Sequence, residues 1–449
     1  MTATRPAMGW NSWDSYGTSV DESILIDNAR YMNEHLLEHG WDTLVLDAGW
    51  FDPTVREGGW KDRTGEAFGA GDRFVLDAYG RQMPDTRKFP SASDGRGFTS
   101  LAGMLHDMGL KLGFHLMRGI PRQAVEEKLP IEGTPYTADQ VADRSSTCEW
   151  NQDNYGLNFD HPGAQAWYDS QLRLYASWGI DYLKVDDMQN PFYEREIEAF
   201  GNAVRNCGRD IFLSLSPGGN MSTRYVDFLR RYGDSWRISE DLWDSWPSLL
   251  DQFAKLARWA PYQSNDGWAD ADMLPMGHIG ICAERGEDRQ GLLDVEERKT
   301  MLTLWAMARS NLMFGGDLPT SAPSTLRMLE NDALLDVTAH TVNNTEAKRE
   351  RIIGTDGDEI VWAADADGRS RRPGSVYAAL FWTGSSSHEV TMQVQGITGL
   401  GHEPSDWRIV DLWDETGFAT GRATIDAAGI LRATVRPHGV VWVALEPVV

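Results

Sequence analysis

Over its first three-quarters the chain alternates short apolar runs with longer amphipathic segments, one pair about every 30–40 residues. The runs are Met8–Trp13, Trp41–Asp47, Leu110–Leu116, Ile180–Asp186, Asp210–Ser216, Ser235–Asp241, Tyr262–Asp272 and Asn311–Asp317. Trp41–Asp47 is apolar almost throughout, the pattern of a strand buried on both faces. Between the runs, Asp21–His39 reads as an amphipathic helix with Asp21 as its N-cap and Gly40 as its stop. Phe98–Met108, Gln165–Trp178, Glu196–Asn206, Tyr225–Tyr232, Ser248–Trp259 and Glu296–Ala308 follow the same periodicity. Eight strands alternating with helices specify an α/β fold, a (β/α)8 TIM barrel.

With 449 residues the chain exceeds what one core usually fills. The period changes near residue 345, where short alternating strands separated by Gly, Ser, Asp and Pro turns take over. The expected organisation is therefore a barrel over 1–345 and a C-terminal antiparallel β-sandwich over 346–449. The Gly-rich stretch Phe51–Gly80 reads as a long βα loop, placed to narrow the pocket or to reach a neighbouring subunit.

A formal charge of −25 disfavours nucleic acid and anionic membranes as partners and favours a neutral or cationic small substrate. No run approaches the roughly 18 apolar residues of a membrane span. Three widely spaced cysteines exclude a disulfide framework, and Met1–Pro6 lacks an apolar signal region, so a cytoplasmic location is expected. Nineteen tryptophans are many; their faces suit sugar rings, although most of them should be core.

In a parallel barrel the C-terminal strand ends surround one cavity, so residues distant in sequence converge there. The fourth run ends Lys184-Val185-Asp186-Asp187, and alternation puts Lys184 and Asp186 on one side. A neighbouring lysine keeps a carboxylate ionised, which suits a nucleophile. The sixth run ends Arg237-Ile238-Ser239-Glu240-Asp241; period counting sends only one of Glu240 and Asp241 to the centre and does not say which. A general acid there needs an apolar wall, which Trp243 and Trp246 could supply. Asp47, His115 and Ser216 end further runs, and Asp270 and Asp272 add two more acids. Two carboxylates facing one cavity are the equipment for cleaving a glycosidic bond. With no His-x-His or thiolate pair, and no Gly-x-Gly-x-x-Gly after a strand, neither a metal site nor a dinucleotide site is expected. A non-catalytic sugar-binding barrel is the rival reading, weakened because both carboxylates are present.

Met8-Gly9-Trp10-Asn11-Ser12-Trp13, Leu183-Lys184-Val185-Asp186, Asp241-Leu242-Trp243-Asp244-Ser245-Trp246 and Gly267-Trp268-Ala269-Asp270-Ala271-Asp272-Met273-Leu274 together resemble glycoside hydrolase family 27. The resemblance runs in order from residue 8 to about 345. It implies a retaining mechanism without metal or organic cofactor, with Asp186 as nucleophile and Asp241 as acid/base. Trp13, Asp47, Lys184, Arg237 and Asp272 match sugar-binding positions, and His115 and Ser216 complete the candidate set. The implied partner is an oligosaccharide or glycoside, cleaved from its end, with an α-galactoside as the leading substrate; homo-oligomerisation is left open. Three departures stand out. Asp47-Ala48 replaces the two acids that α-galactosidases direct at the 4- and 6-hydroxyls. Ser214-Leu215-Ser216-Pro217-Gly218 replaces a Cys-Glu-Trp type segment, and Met188 stands where a disulfide cysteine often follows. The isomaltodextranase-like branch also lacks the second acid, so α-glucosyl, isomaltosyl and β-L-arabinopyranosyl substrates are alternatives.

Overall fold

The protein, represented by a computed structural model, is described over residues 3–55, 73–219, 221–283, 285–397, 407–418 and 422–448. Its centre is a parallel sheet of eight strands: β1 (Met8–Asn11), β2 (Thr43–Leu46), β3 (Lys111–Met117), β4 (Tyr182–Asp186), β5 (Phe212–Leu215), β6 (Ser235–Arg237), β7 (Trp268–Asp270) and β8 (Leu312–Phe314). The order is β7-β6-β5-β4-β3-β2-β1-β8. A parallel bridge between Leu274 and Phe314 joins the two ends, with Leu274 N donating to Met313 O at 2.8 Å and Gly315 N to Leu274 O at 3.0 Å. The sheet is thereby a closed (β/α)8 barrel, as the alternation predicts. At Gly9 any Cβ would stand 2.0 Å from the Thr43 carbonyl, so the β1–β2 contact admits only glycine.

Most strands are shorter than their apolar runs, and several runs continue into the turn that carries the site. β1 stops at Asn11 and Trp13–Tyr16 coil into one helical turn; β6 stops at Arg237. The first helix, α1 (Glu22–His35), is capped by Asp21, which accepts from Ile24 N at 2.9 Å; the chain then leaves through Gly40 in the left-handed region. Residues 56–72 of the expected Phe51–Gly80 loop lie outside the described residues.

Two small sheets were not legible in the pattern. Ile120–Pro121, Asn154–Leu157 and Ala142–Thr147 form an antiparallel insertion after β3, and His278–Ile279 pairs with Arg289–Gln290 after β7. The Ala142–Thr147 strand is polar and largely solvent-facing, so it carries no apolar alternation.

The C-terminal part holds a five-stranded antiparallel sheet in the order Thr341–Arg351, Asp358–Ala366, Val376–Trp382, Val440–Pro447 and Trp407–Asp411. Facing it is a three-stranded sheet of His388–Gln393, Ile430–Val435 and Thr424–Ile425. The first strand starts at Thr341, ahead of the change of period at residue 345, because its residues are mostly polar. Alternation splits the larger sheet cleanly. Val361, Ala363, Ala378, Leu380, Val441 and Val443 face the smaller sheet, while Ile360, Trp362, Tyr377, Phe381 and Trp442 belong to the core of the barrel. The barrel helix α2 (Val295–Ala308) is accordingly buried around most of its circumference. Trp442 Nε1 reaches Met307 Sδ at 3.3 Å, Trp413 Nε1 donates to Thr303 Oγ1 at 3.1 Å, and Trp246 stacks on His438 at 4.0 Å. Among the described residues no helix is long and apolar enough to cross a membrane, and Cys148, Cys207 and Cys282 are free thiols.

Candidate active site

At the C-terminal strand ends the barrel opens into a cavity of about 640 Å³. Trp13, Asp47, Lys184, Asp186, Ser216, Arg237, Asp241 and Asp272 line it. Below, the barrel interior is filled by Val45, Tyr182, Met273 and Met313, so the cavity is a blind pocket.

Two buried ion pairs organise its walls. Lys184 Nζ lies 2.8 Å from Asp47 Oδ2, and Arg237 Nη1 lies 2.7 Å from Asp272 Oδ1. The turn after β1 fixes the first pair: Asn11 Nδ2 donates to Asp47 Oδ2 at 2.9 Å, and Asp47 N donates to Ser12 Oγ at 2.9 Å. Arg237 also reaches Asp241 Oδ1 at 3.3 Å through Nη2, and Asp272 Oδ2 accepts from Leu242 N at 2.8 Å. Asp241, with 56% of its side chain exposed, is thus tethered at the pocket mouth.

Asp186 is held differently. His115 Nε2 meets its Oδ2 at 2.8 Å, while Oδ1 is buried with no hydrogen-bond partner among the described residues. Burial opposes ionisation of Asp186, but Lys184 and His115 outweigh it and hold the carboxyl below the usual carboxylate range. Asp47 is lowered by the same balance, with Lys184 the main opponent of burial. Asp272 goes the other way: burial, reinforced by Asp241 and only partly offset by Arg237, pushes it up to about 6. One wall therefore carries firmly ionised carboxylates and the other an acid that takes up protons readily.

Several expectations need correction. His115 does not line the pocket; it is fully buried beneath Asp186 and acts through that contact. Glu240 and Asp241 both border the cavity, because β6 ends at Arg237 and strand alternation no longer governs them. Trp243 lines the mouth, with Arg285 over its ring at 5.6 Å, whereas Trp246 packs away against His438. Asp270 lies in the barrel seam, accepting from Asn311 Nδ2 at 2.9 Å. Most tryptophans are core, as expected, including Trp10, Trp41, Trp50, Trp236 and Trp305. The insertion after β3 delivers Glu149, Trp150, Asn151, Gln152 and Asp153 to the rim, with Trp150 45% exposed. Asp14 also borders the cavity, adjacent in sequence to Trp13. Neither the rim nor Asp14 was legible beforehand, since both sit on turns rather than strand ends. No group of three or more His, Cys, Asp or Glu side chains among the described residues could hold a metal ion.

The sequence family Melibiase_2, described as alpha galactosidase A, matches residues 122–340. The chain superposes on the crystal structure of a GH27 β-L-arabinopyranosidase from Geobacillus stearothermophilus with a TM-score of 0.88 and 36% identity, covering 100% of this chain and 97% of that one. An aspartate-to-alanine variant of that enzyme in complex with arabinose superposes at 0.87, again with 36% identity, over 100% and 98%. The α-galactosidase of Oryza sativa subsp. japonica is 25% identical over 447 residues, 98% of this chain and 85% of that protein. Strand-end carboxylates in a blind pocket, on a barrel shared over its whole length with such enzymes, place this chain in glycoside hydrolase family 27, and it is a glycoside hydrolase.

Proposed function

We propose that the enzyme is a retaining, exo-acting glycosidase of the α-galactosidase type, in which Asp186 is the nucleophile and Asp241 the acid/base. The observation that carries this reading is the firmly ionised Asp186, a strand-end carboxylate that lines the same pocket as Asp241. His115 holds Asp186 Oδ2, so the carboxylate is oriented before substrate arrives. The Asp186 carboxylate attacks the anomeric carbon as Asp241 gives its proton to the departing oxygen; Asp241 then takes a proton from water, which releases the sugar with retained configuration. Exposure of Asp241 at the mouth lets it exchange protons with solvent between these steps. A pocket closed below accepts a chain end rather than a chain interior.

The bound sugar is galacto-configured, and β-L-arabinopyranosides are preferred over α-D-galactosides. The two rings are the same except for the hydroxymethyl group on C5 of galactose. Asp47 and Lys184 remain to take a ring hydroxyl, while Ala48, fully buried, offers no second carboxylate for the hydroxymethyl arm. The 36% identity to the Geobacillus stearothermophilus arabinopyranosidase supports this order, and the 25% identity to the rice α-galactosidase supports galactoside turnover as well. Nitrophenyl β-L-arabinopyranoside, α-D-galactoside and α-D-glucoside test it, with product anomer followed by NMR. The expected order of kcat/KM is arabinopyranoside, galactoside, glucoside, with retention. Inversion, preference for the glucoside, or undiminished turnover by Asp186→Asn would overturn it.

A further inference from the structure

We propose that Asp14 is a sugar-binding residue of this pocket, presenting its carboxyl to a hydroxyl of the bound pyranose and so helping to set which sugar is accepted. The inference rests on the reading of the pocket as a glycosidase site.

Asp14 stands on the helical turn Trp13–Tyr16 that follows β1, and only 4% of it is exposed. Its backbone is pinned: its carbonyl accepts from Gly280 N at 2.8 Å, and the hydroxyl of Ser15 donates to Gly315 O at 2.6 Å. Gly315, just past β8, leaves room for the carboxyl. A Cβ there would lie 2.0 Å from Asp14 Oδ2. Asp14 borders the cavity, and its Oδ2 has no hydrogen-bond partner among the described residues. A buried carboxyl oxygen left without a partner is disfavoured, and the place of this side chain in the cavity lining makes a ligand the natural partner of the carboxyl.

Charge decides what kind of partner. The groups that act on Asp14 are Asp272, Lys184, Asp241 and Asp47, with Arg289 behind it. Lys184 is committed to Asp47, Arg289 holds Asp244 at 2.7 and 3.0 Å, and the Arg237 guanidinium serves Asp272 and Asp241. Burial first, then the surrounding carboxylates, raises Asp14 well above the ordinary carboxylate range despite Lys184. Asp14 therefore takes up a proton more readily than an ordinary carboxyl, and in its protonated form it donates as well as accepts. A sugar hydroxyl has the same dual character.

The test compares Asp14→Asn, which keeps the shape and a donor, with Asp14→Leu, which keeps the shape alone. Binding of free L-arabinose and D-galactose is measured by calorimetry across pH, with thermal melts as the folding control. Asp14→Leu should weaken binding by about tenfold or more, and Asp14→Asn by no more than about threefold. Binding to the unaltered enzyme should fall on the alkaline side as Asp14 loses its proton, and Asp14→Asn should not follow that fall. If Asp14→Leu does not fold, Gly315→Ala displaces the carboxyl instead and should weaken binding in the same direction. Equal affinity in Asp14→Leu and the unaltered enzyme, or equal losses in Asn and Leu with unchanged pH dependence, would overturn the assignment while leaving the glycosidase reading intact. Absence of sugar binding and of turnover in the unaltered enzyme would overturn both.

Discussion

Replacing Lys184 by Met removes the group that most strongly favours ionisation of both Asp47 and Asp186. The ammonium lies 2.8 Å from Asp47 Oδ2, and the two side chains are 15% and 2% exposed. Breaking such a pair strands a buried charge, at about 3–5 kcal/mol. Water can reach part of the vacated site, and Asp47 keeps Asn11 Nδ2 at 2.9 Å, so we expect the lower end, about 3 kcal/mol, by urea unfolding. The same substitution has a kinetic signature. Asp186 and Asp47 are held below the ordinary carboxylate range, so the stability they contribute is present above about pH 4 and is lost as pH falls through their lower folded values. Without Lys184 those values rise, and both the stability loss and the acid limb of kcat/KM move to higher pH. Adding Asp47→Asn removes the stranded charge and should recover part of the stability, a non-additivity of at least about 1 kcal/mol. A Lys184→Met variant within about 0.5 kcal/mol of the parent, with an unmoved acid limb, would refute the reasoning.

Asp241→Asn should slow aryl glycosides with good leaving groups far less than alkyl glycosides or disaccharides, whose leaving oxygen needs the proton, with losses on the latter of about 10²–10⁴-fold; equal losses on both would show that Asp241 is not the acid. Ala48→Asp should raise the galactoside-to-arabinopyranoside ratio of kcat/KM by about tenfold or more, the worth of one charge-assisted hydrogen bond of about 1.5–3 kcal/mol, and an unchanged ratio in a folded variant would count against the role of this position. Asp272, raised to about 6, contributes stability that is present below about pH 4 and lost as pH rises through about 6, so Asp272→Asn should flatten the stability curve across that window; a curve of unaltered shape would contradict it.

The barrel was readable because its strands are covered on both faces, so β1 and β2 consist wholly of buried residues and announce themselves as apolar runs. Lys184 and Asp186 were readable as cavity partners because they sit within β4, where alternation holds. The same rule failed at Glu240 and Asp241, beyond the last residue of β6. Asn11 and Ser12 act on Asp47 across 36 and 35 positions of sequence, a relation that no local period encodes. The rim at Glu149–Asp153 hangs on a short, polar sheet, and the strand Thr341–Arg351 is stabilised by pairing with Asp358–Ala366 rather than by apolar residues of its own. His115 was readable as a strand residue, but whether it faced substrate or steadied its neighbour depended on depth in the barrel.

The larger C-terminal sheet packs Trp362, Phe381 and Trp442 into one core with the barrel helix α2 and leaves that helix almost no solvent face. Excising the barrel alone would bare a broad oily wall, so a fragment ending near residue 345 should clump instead of folding. Heat should melt both parts in one step. For anyone re-engineering this glycosidase, the trailing sheet is a wall of the building and not an annex.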